Sequence, residues 1–223
     1  YMFLLILLIL PVVGLVGSNN LSTAIIILGI AVILIFVANP QFLPFLWIGG
    51  TGVGFIGIFL SLESYRLERL AIWRNPELYE KGYQTMQGLY AIGSGGLFGV
   101  GLGESMQKLG FVPEAQNDMI FSIICEELGL TGAVAVLVIF GLLIWRLMVI
   151  ATWTKDLFGT LLAAGVMGHI MIQVILNVAV VTNTIPNTGI TLPFVSYGGT
   201  SVVFLLLEMG IALSVSRDVR KEQ

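Results

Sequence analysis

The chain has 223 residues, of which 57% are hydrophobic and 10% charged, and its mean hydropathy is +0.99. So apolar a composition excludes a water-soluble globule, and a net charge of −3 with no basic run excludes nucleic acid as a partner. What remains is a polytopic membrane protein whose single cysteine, Cys125, forms no internal disulfide.

A span needs roughly 20 apolar residues. Runs of that kind lie at 2–17, 21–38, 42–61, 128–151, 157–182 and 198–216, which predicts six spans. Tyr1 already lies inside the first run with no signal-peptide n-region before it, so the chain reads as a fragment. Segment 62–117 predicts a long loop carrying Arg66, Arg69, Arg74, Lys81 and Lys108. Within it, 93–103 is rich in glycine but has neither the strand-to-helix context nor the Lys-Ser/Thr ending of a phosphate loop. Its interspersed apolar residues predict irregular backbone dipping into the membrane, packed in protein or lining a wet cavity.

Asp118 sits where the polar stretch Pro113-Glu114-Ala115-Gln116-Asn117 runs into a long apolar helix. A carboxylate there serves either as a base acting on a group held at the membrane surface or as a helix N-cap, worth about 0.5 to 2 kcal/mol. Helical spacing puts Asp118, Ser122, Cys125 and Glu126 on one face and turns Glu127 away. Asp118 and Glu126 are then roughly 12 Å apart along the axis, too far to share a proton but able to line one cavity. The alternative for Glu126 is an interfacial contact with neighbouring backbone. Cys125 reads as packing.

In the run 157–182, His169, Gln173 and Asn177 repeat every four residues, a polar stripe that must face protein or water. Interhelical hydrogen bonds, about 0.6 kcal/mol each, are one use for it. The other is a substrate cavity lined by Asn177, nearest the outer end. Loop 183–197 is stiffened by Pro186 and Pro193, and Gly198-Gly199 allow close approach just before a helix start. Ser196, Tyr197 and Thr200 are therefore candidates for sugar or phosphate contact, or plain loop and cap. Glu208 falls near the middle of the last run at a depth close to that of His169, which predicts a His169–Glu208 pair or a protonated Glu208.

Arg146 and Lys155 bracket one short connection, and Arg217, Arg220 and Lys221 follow the last run. Two spans separate these groups, so they share a side, which the positive-inside rule makes cytoplasmic. Loops 18–21, 62–117 and 183–197 then face outward; the long one is basic, against the simple rule, but near the length at which that rule weakens. The expectation is an all-α membrane helix bundle, a single domain over 1–223, with an extracellular loop at 62–117 that contains a re-entrant segment.

Several motifs occur in one order across nearly the whole chain: Tyr83-Gln84, Ala91-Ile92-Gly93-Ser94-Gly95-Gly96, Gly101-Leu102-Gly103-Glu104-Ser105-Met106-Gln107-Lys108, Pro113 through Asp118, Glu126-Glu127-Leu128-Gly129, and Leu192-Pro193-Phe194-Val195-Ser196-Tyr197-Gly198-Gly199. Together they resemble the SEDS family (shape, elongation, division, sporulation). The stretch 101–108 and Thr184-Ile185-Pro186 resemble its FtsW- and SpoVE-type division and sporulation members more than RodA. Members usually carry further spans ahead of these, so the chain resembles their carboxy-terminal part. The resemblance implies a peptidoglycan glycosyltransferase that polymerises lipid II at the outer face of the cytoplasmic membrane. It also implies a class B penicillin-binding protein as partner, among other divisome membrane proteins. Asp118 matches the family's essential aspartate and inherits that role. The chain departs from the family at Gln116 and Met119, often His and Phe, and at Ser18-Asn19-Asn20, often Gln-Pro-Asp, which takes a carboxylate off the outer face.

Such a reaction needs a base at the attacking sugar hydroxyl and positive charge at the departing lipid pyrophosphate. Asp118 supplies the base, with its pKa raised by a partly dehydrated cavity and lowered by nearby cations. Arg66 and Arg69 follow directly from the span ending near 61 and suit bidentate phosphate contact. Lys108, Glu114, Ser196, Tyr197 and Asn177 complete the expected substrate-binding set. A divalent ion, Mg or Mn, on Asp118 is an alternative source of positive charge. A lipid-linked sugar flippase using the polar line His169, Gln173, Asn177 and Glu208 is the second reading, although the distinctive residues gather on the outer face. A scaffold for other cell-wall proteins, held in membrane lipid, is the third.

Overall fold

The computed structural model describes residues 9, 11–17, 20–39 and 64–221, for 64–67 and 218–221 as backbone alone. The named helices are α1 (Leu21–Ala38), α2 (Ser64–Arg74), α3 (Tyr83–Gly95), α4 (Ile120–Trp153), α5 (Leu157–Val181) and α6 (Gly199–Lys221), with short 3-10 turns between α2 and α3 and ahead of α4. Leu21–Ala38, Ile120–Trp153, Leu157–Val181 and Gly199–Arg217 are long and apolar enough to cross a membrane. They answer to the expected runs 21–38, 128–151, 157–182 and 198–216, and the fold is an all-α membrane fold. The runs expected at 2–17 and 42–61 lie outside the described residues, apart from 9 and 11–17, which are helical.

Local chemistry sets the helix limits. The Asn20 side-chain oxygen accepts from the Thr23 N–H at 3.2 Å, capping α1, whose eighteen residues are apolar on nearly every face. Helix α4 starts at Ile120, ahead of the apolar run expected from 128, because Ser122, Cys125 and Glu126 are buried in protein instead of facing lipid. At Gly129 the helix is broken, with φ 66° and ψ −166°, a conformation open only to glycine. The segment expected as one long loop contains α2 and α3.

The chain divides into two compact units. In the first, the described residues of 1–54, 142–172 and 202–223, Leu34, Val37 and Val215 pack on Ile150, Ala151, Ala163 and Ala164. The same unit holds the expected pair: His169 Nδ1 lies 2.8 Å from both carboxylate oxygens of Glu208.

The second unit comprises the described residues of 55–141 and 173–201. Here the glycine-rich loop fills the break in α4. The N–H groups of Val100 and Gly101 donate to the carbonyls of Glu126 and Glu127 at 2.9 and 3.0 Å. Those of Leu130 and Thr131 donate to the carbonyls of Gly96 and Leu97 at 2.9 and 3.1 Å. The backbone groups that the break would strand in a membrane helix are thus satisfied by the loop. Close approach needs glycine: a Cβ on Gly95 would collide with the Cys125 carbonyl.

Candidate active site

Asp118 occupies the turn before α4 and is 7% exposed. Because α4 begins at Ile120, Asp118 stands one residue ahead of the cap position. Its carboxylate faces α3, where Gln84 Nε2 donates to Oδ1 and Oδ2 at 3.3 and 3.4 Å. Gln84 is itself oriented by Asn187, whose Nδ2 donates to Gln84 Oε1 at 3.1 Å.

The backbone around Asp118 is gripped at three successive carbonyls. Tyr197 N–H donates to Gln116 O at 2.8 Å, Ser196 Oγ to Asn117 O at 2.6 Å, and Asn177 Nδ2 to Asp118 O at 2.8 Å. Asn177 also donates to Ile190 O at 2.7 Å, and Ser196 Oγ accepts from Leu192 N–H at 2.7 Å. The closing loop and the end of α5 therefore act as a clamp on the segment that carries the carboxylate. Asn177 and Ser196 are buried and spend their donors on this clamp, whereas the Tyr197 ring is 76% exposed.

A cavity of about 320 Å³ opens beside Asp118, and its walls include Arg69, Lys81, Gln84, Asn187 and Thr188. Arg69 reaches it from α2 and donates to Asn187 O at 3.4 Å. Trp73 Nε1 donates to Asn183 O at 2.9 Å, tying the end of α2 to the closing loop. Lys81 pairs with Glu68 at 2.9 Å, an exposed bridge that a stronger anion could displace.

Burial raises the Asp118 pKa above the ordinary carboxylate value, and the charge of Glu114 adds to the rise. Hydrogen bonds from the backbone N–H of Asp118, the Gln84 amide and the Met119 N–H oppose it without cancelling it.

The expected site residues divide accordingly. Arg69 meets Asp118 in the cavity. The side chain of Arg66 lies outside the described residues. Lys108 is turned to another task, donating to Glu127 and to Gly103 O at 2.6 Å each. Glu114, exposed and in the left-handed region at φ 54°, accepts from Asn117 Nδ2 and acts on Asp118 by charge. Glu126 is buried against Ser105 Oγ and is not on the cavity wall. Gln84 lies in the Tyr83-Gln84 motif, Asn187 in the closing loop and Lys81 among the cations of the long loop, yet sequence alone places none of them at the carboxylate.

A divalent ion at Asp118 has few protein ligands to draw on: among the described residues no three His, Cys, Asp or Glu side chains come together. One carboxylate with water and substrate phosphates is nonetheless a set that Mg accepts.

The family described as cell cycle protein, FtsW/RodA/SpoVE, matches residues 1–221. Stage V sporulation protein E of Bacillus subtilis strain 168 is 45% identical over 201 residues, covering 89% of this chain and 55% of that protein. The probable peptidoglycan glycosyltransferase FtsW of Trichlorobacter lovleyi is 37% identical over 208 residues, covering 92% of this chain and 55% of that protein. The chain thus spans about half the length of these curated relatives. Among solved structures, a peptidoglycan synthase complex that coordinates polymerization and crosslinking matches with TM-score 0.78 and 31% identity, over 96% of this chain and 61% of that one. The rod shape determining protein RodA of Thermus thermophilus matches with TM-score 0.64 and 30% identity, over 96% of this chain and 56% of that one.

Proposed function

The chain belongs to the FtsW/RodA/SpoVE family of cell cycle proteins, and from that premise we propose that it is the carboxy-terminal, base-bearing part of a peptidoglycan glycosyltransferase. Its substrate is lipid II, polymerised at the outer face of the cytoplasmic membrane in division or sporulation. The observation that carries this reading is a buried carboxylate of raised pKa sharing one cavity with Arg69 and Lys81.

In the reaction, a sugar hydroxyl of one lipid II attacks the anomeric carbon of another. The new C–O bond forms as the bond from that carbon to the lipid pyrophosphate breaks, and the hydroxyl proton passes to Asp118. A raised pKa suits the proton acceptor, since a strongly acidic carboxylate would be too weak a base. Arg69 and Lys81 stabilise the negative charge gathering on the pyrophosphate as it leaves. Gln84 holds both carboxylate oxygens and so fixes the direction from which a proton is taken. A Mg or Mn ion bound to Asp118 would add positive charge at the pyrophosphate.

The likeness to a peptidoglycan synthase complex supports a class B penicillin-binding protein as partner. A flippase is the second reading, favoured by the His169–Glu208 pair, since ionisable groups within membrane helices mark transport paths in many proteins. The test uses purified full-length protein with its partner and labelled lipid II, comparing wild type with Asp118→Asn. Loss of glycan chains is the expected result; undiminished polymer from the variant sinks the catalytic assignment.

A further inference from the structure

The glycine-rich loop between α3 and α4 exposes large apolar side chains. Leu97, Phe98 and Leu102 are 61%, 80% and 77% exposed, and no charged residue lies between Gly95 and Gly103. In water such a tip would be costly, at about 25 cal/mol per Å² of apolar surface.

Its depth follows from its hydrogen bonds. The loop backbone pairs with residues 126, 127, 130 and 131 of α4, so it lies level with that stretch of a membrane-crossing helix. A hydrocarbon layer takes about 20 helical residues, and the apolar run of α4 opens at Leu128. The loop is therefore level with the boundary between headgroups and acyl chains. Behind the tip, Ser105 Oγ bonds buried Glu126 and Lys108 pairs with Glu127 at 2.6 Å. These polar ties run to α4, while the apolar side chains of the tip stay uncovered.

We propose that the tip Leu97–Leu102 is a membrane anchor seated at the acyl-chain boundary beside α4, and that it sets the height of Asp118 above the lipid. From Ile120, where α4 begins, to Glu126 is about 9 Å along the helix axis, and Asp118 lies in the turn ahead of it. That height suits a group attached to a lipid through a pyrophosphate. The seating stands on the loop geometry alone, while the height role rests on the proposed function.

The test places a nitroxide at Phe98→Cys, at Leu102→Cys and, as an aqueous reference, at Glu80→Cys of the full-length protein in a cysteine-free background. The protein is reconstituted in phosphatidylcholine–phosphatidylglycerol vesicles, and collision with oxygen is compared with collision with a water-soluble nickel chelate. A preference for oxygen several-fold greater at 98 and 102 than at 80 is expected. Preference for nickel at 98 and 102 would place the tip in water, and protection from both reagents would place it against protein; either overturns the anchor. The seating must be the same in Asp118→Asn, so it can fail or hold independently of the catalytic reading. A Phe98→Ser, Leu102→Ser double variant is expected to lose polymer yield several-fold with folding intact. Full yield from that variant, with the tip displaced into water, overturns the height role.

Discussion

Removal of the Gln84 amide tests how the fold tunes Asp118. Gln84→Met keeps the length of the side chain and deletes the donor that lies 3.3 and 3.4 Å from the two carboxylate oxygens. A hydrogen bond to a charged group is worth about 1.5 to 3 kcal/mol at good geometry, and these are long, so about 1 kcal/mol is assigned to the pair. That is about a fivefold change in the balance between the ionised and protonated forms of Asp118. The amide favours the ionised form, so its loss raises the pKa further. A base must be ionised to act, and the acid limb of the rate profile therefore moves to higher pH. The assay is glycan formation from labelled lipid II by the full-length protein and its partner, followed across pH for wild type and Gln84→Met. An acid limb that stays in place, or moves down, in a folded variant refutes the argument that this amide holds the base.

Asn177→Ala removes two buried hydrogen bonds, at 2.8 and 2.7 Å, and is expected to cost about 2 to 3 kcal/mol of stability and to lower the rate more than substrate affinity; a change confined to KM counts against the clamp. Asp118→Asn is expected to raise the melting temperature at neutral pH. A carboxylate whose folded pKa is raised carries a penalty that is absent below its unfolded pKa and complete above its folded one, so the gain must vanish on acidification through that window. Gly129→Ala places a Cβ against the Leu97 and Gly99 backbone at φ 66° and is expected to destabilise by about 1 to 3 kcal/mol or more, read by denaturation in detergent. For His169→Ala and Glu208→Ala, whose partners lie 2.8 Å apart, a double-mutant cycle is expected to give a coupling of about 1 to 2 kcal/mol; additivity would show that they do not interact in the membrane.

The membrane helices were legible because their signal is local and redundant: α1, α5 and α6 follow the apolar runs closely. The start of α4 near Asp118 was legible from the end of the polar stretch, whereas the apolar run begins only at 128, because Ser122 and Glu126 are polar and buried. Asp118 and Arg69 were legible from their position beside a membrane boundary. Ser196, Tyr197 and Asn177 were legible as neighbours of the site, but the hydrogen bonds made there by the Ser196 and Asn177 side chains and the Tyr197 N–H were not, since sequence gives a group's chemistry without its partner. Here the partners in the clamp are main-chain carbonyls 59 residues away for Asn177 and 79 for Ser196. Gln84 shows the limit from the other side. Nothing local distinguishes its amide from others in the chain until α3 is laid against the turn 34 residues later.

The clamp also explains how a turn can hold a destabilised carboxylate. Left alone, Asp118 would relieve its burial by rotating toward water or by letting its turn unwind, and three carbonyls held in sequence close off the second escape. Two of these donors come from the closing loop and one from α5, so the end of the fifth expected span and the loop after it fix a group that precedes the fourth. The cations come from elsewhere, Arg69 from α2 and Lys81 from the turn before α3. Base and positive charge are thus carried by separate segments, and both line the cavity. A ligand that bridges Asp118 and Arg69 would draw those segments together. The contacts that yield first are the exposed Lys81–Glu68 pair and the 3.4 Å bond from Arg69 to Asn187 O, since one is screened by water and the other is long. On the proposed reading, a lipid pyrophosphate would then draw in the two cations while the clamp holds the carboxylate, so that the base is in place before the charges close.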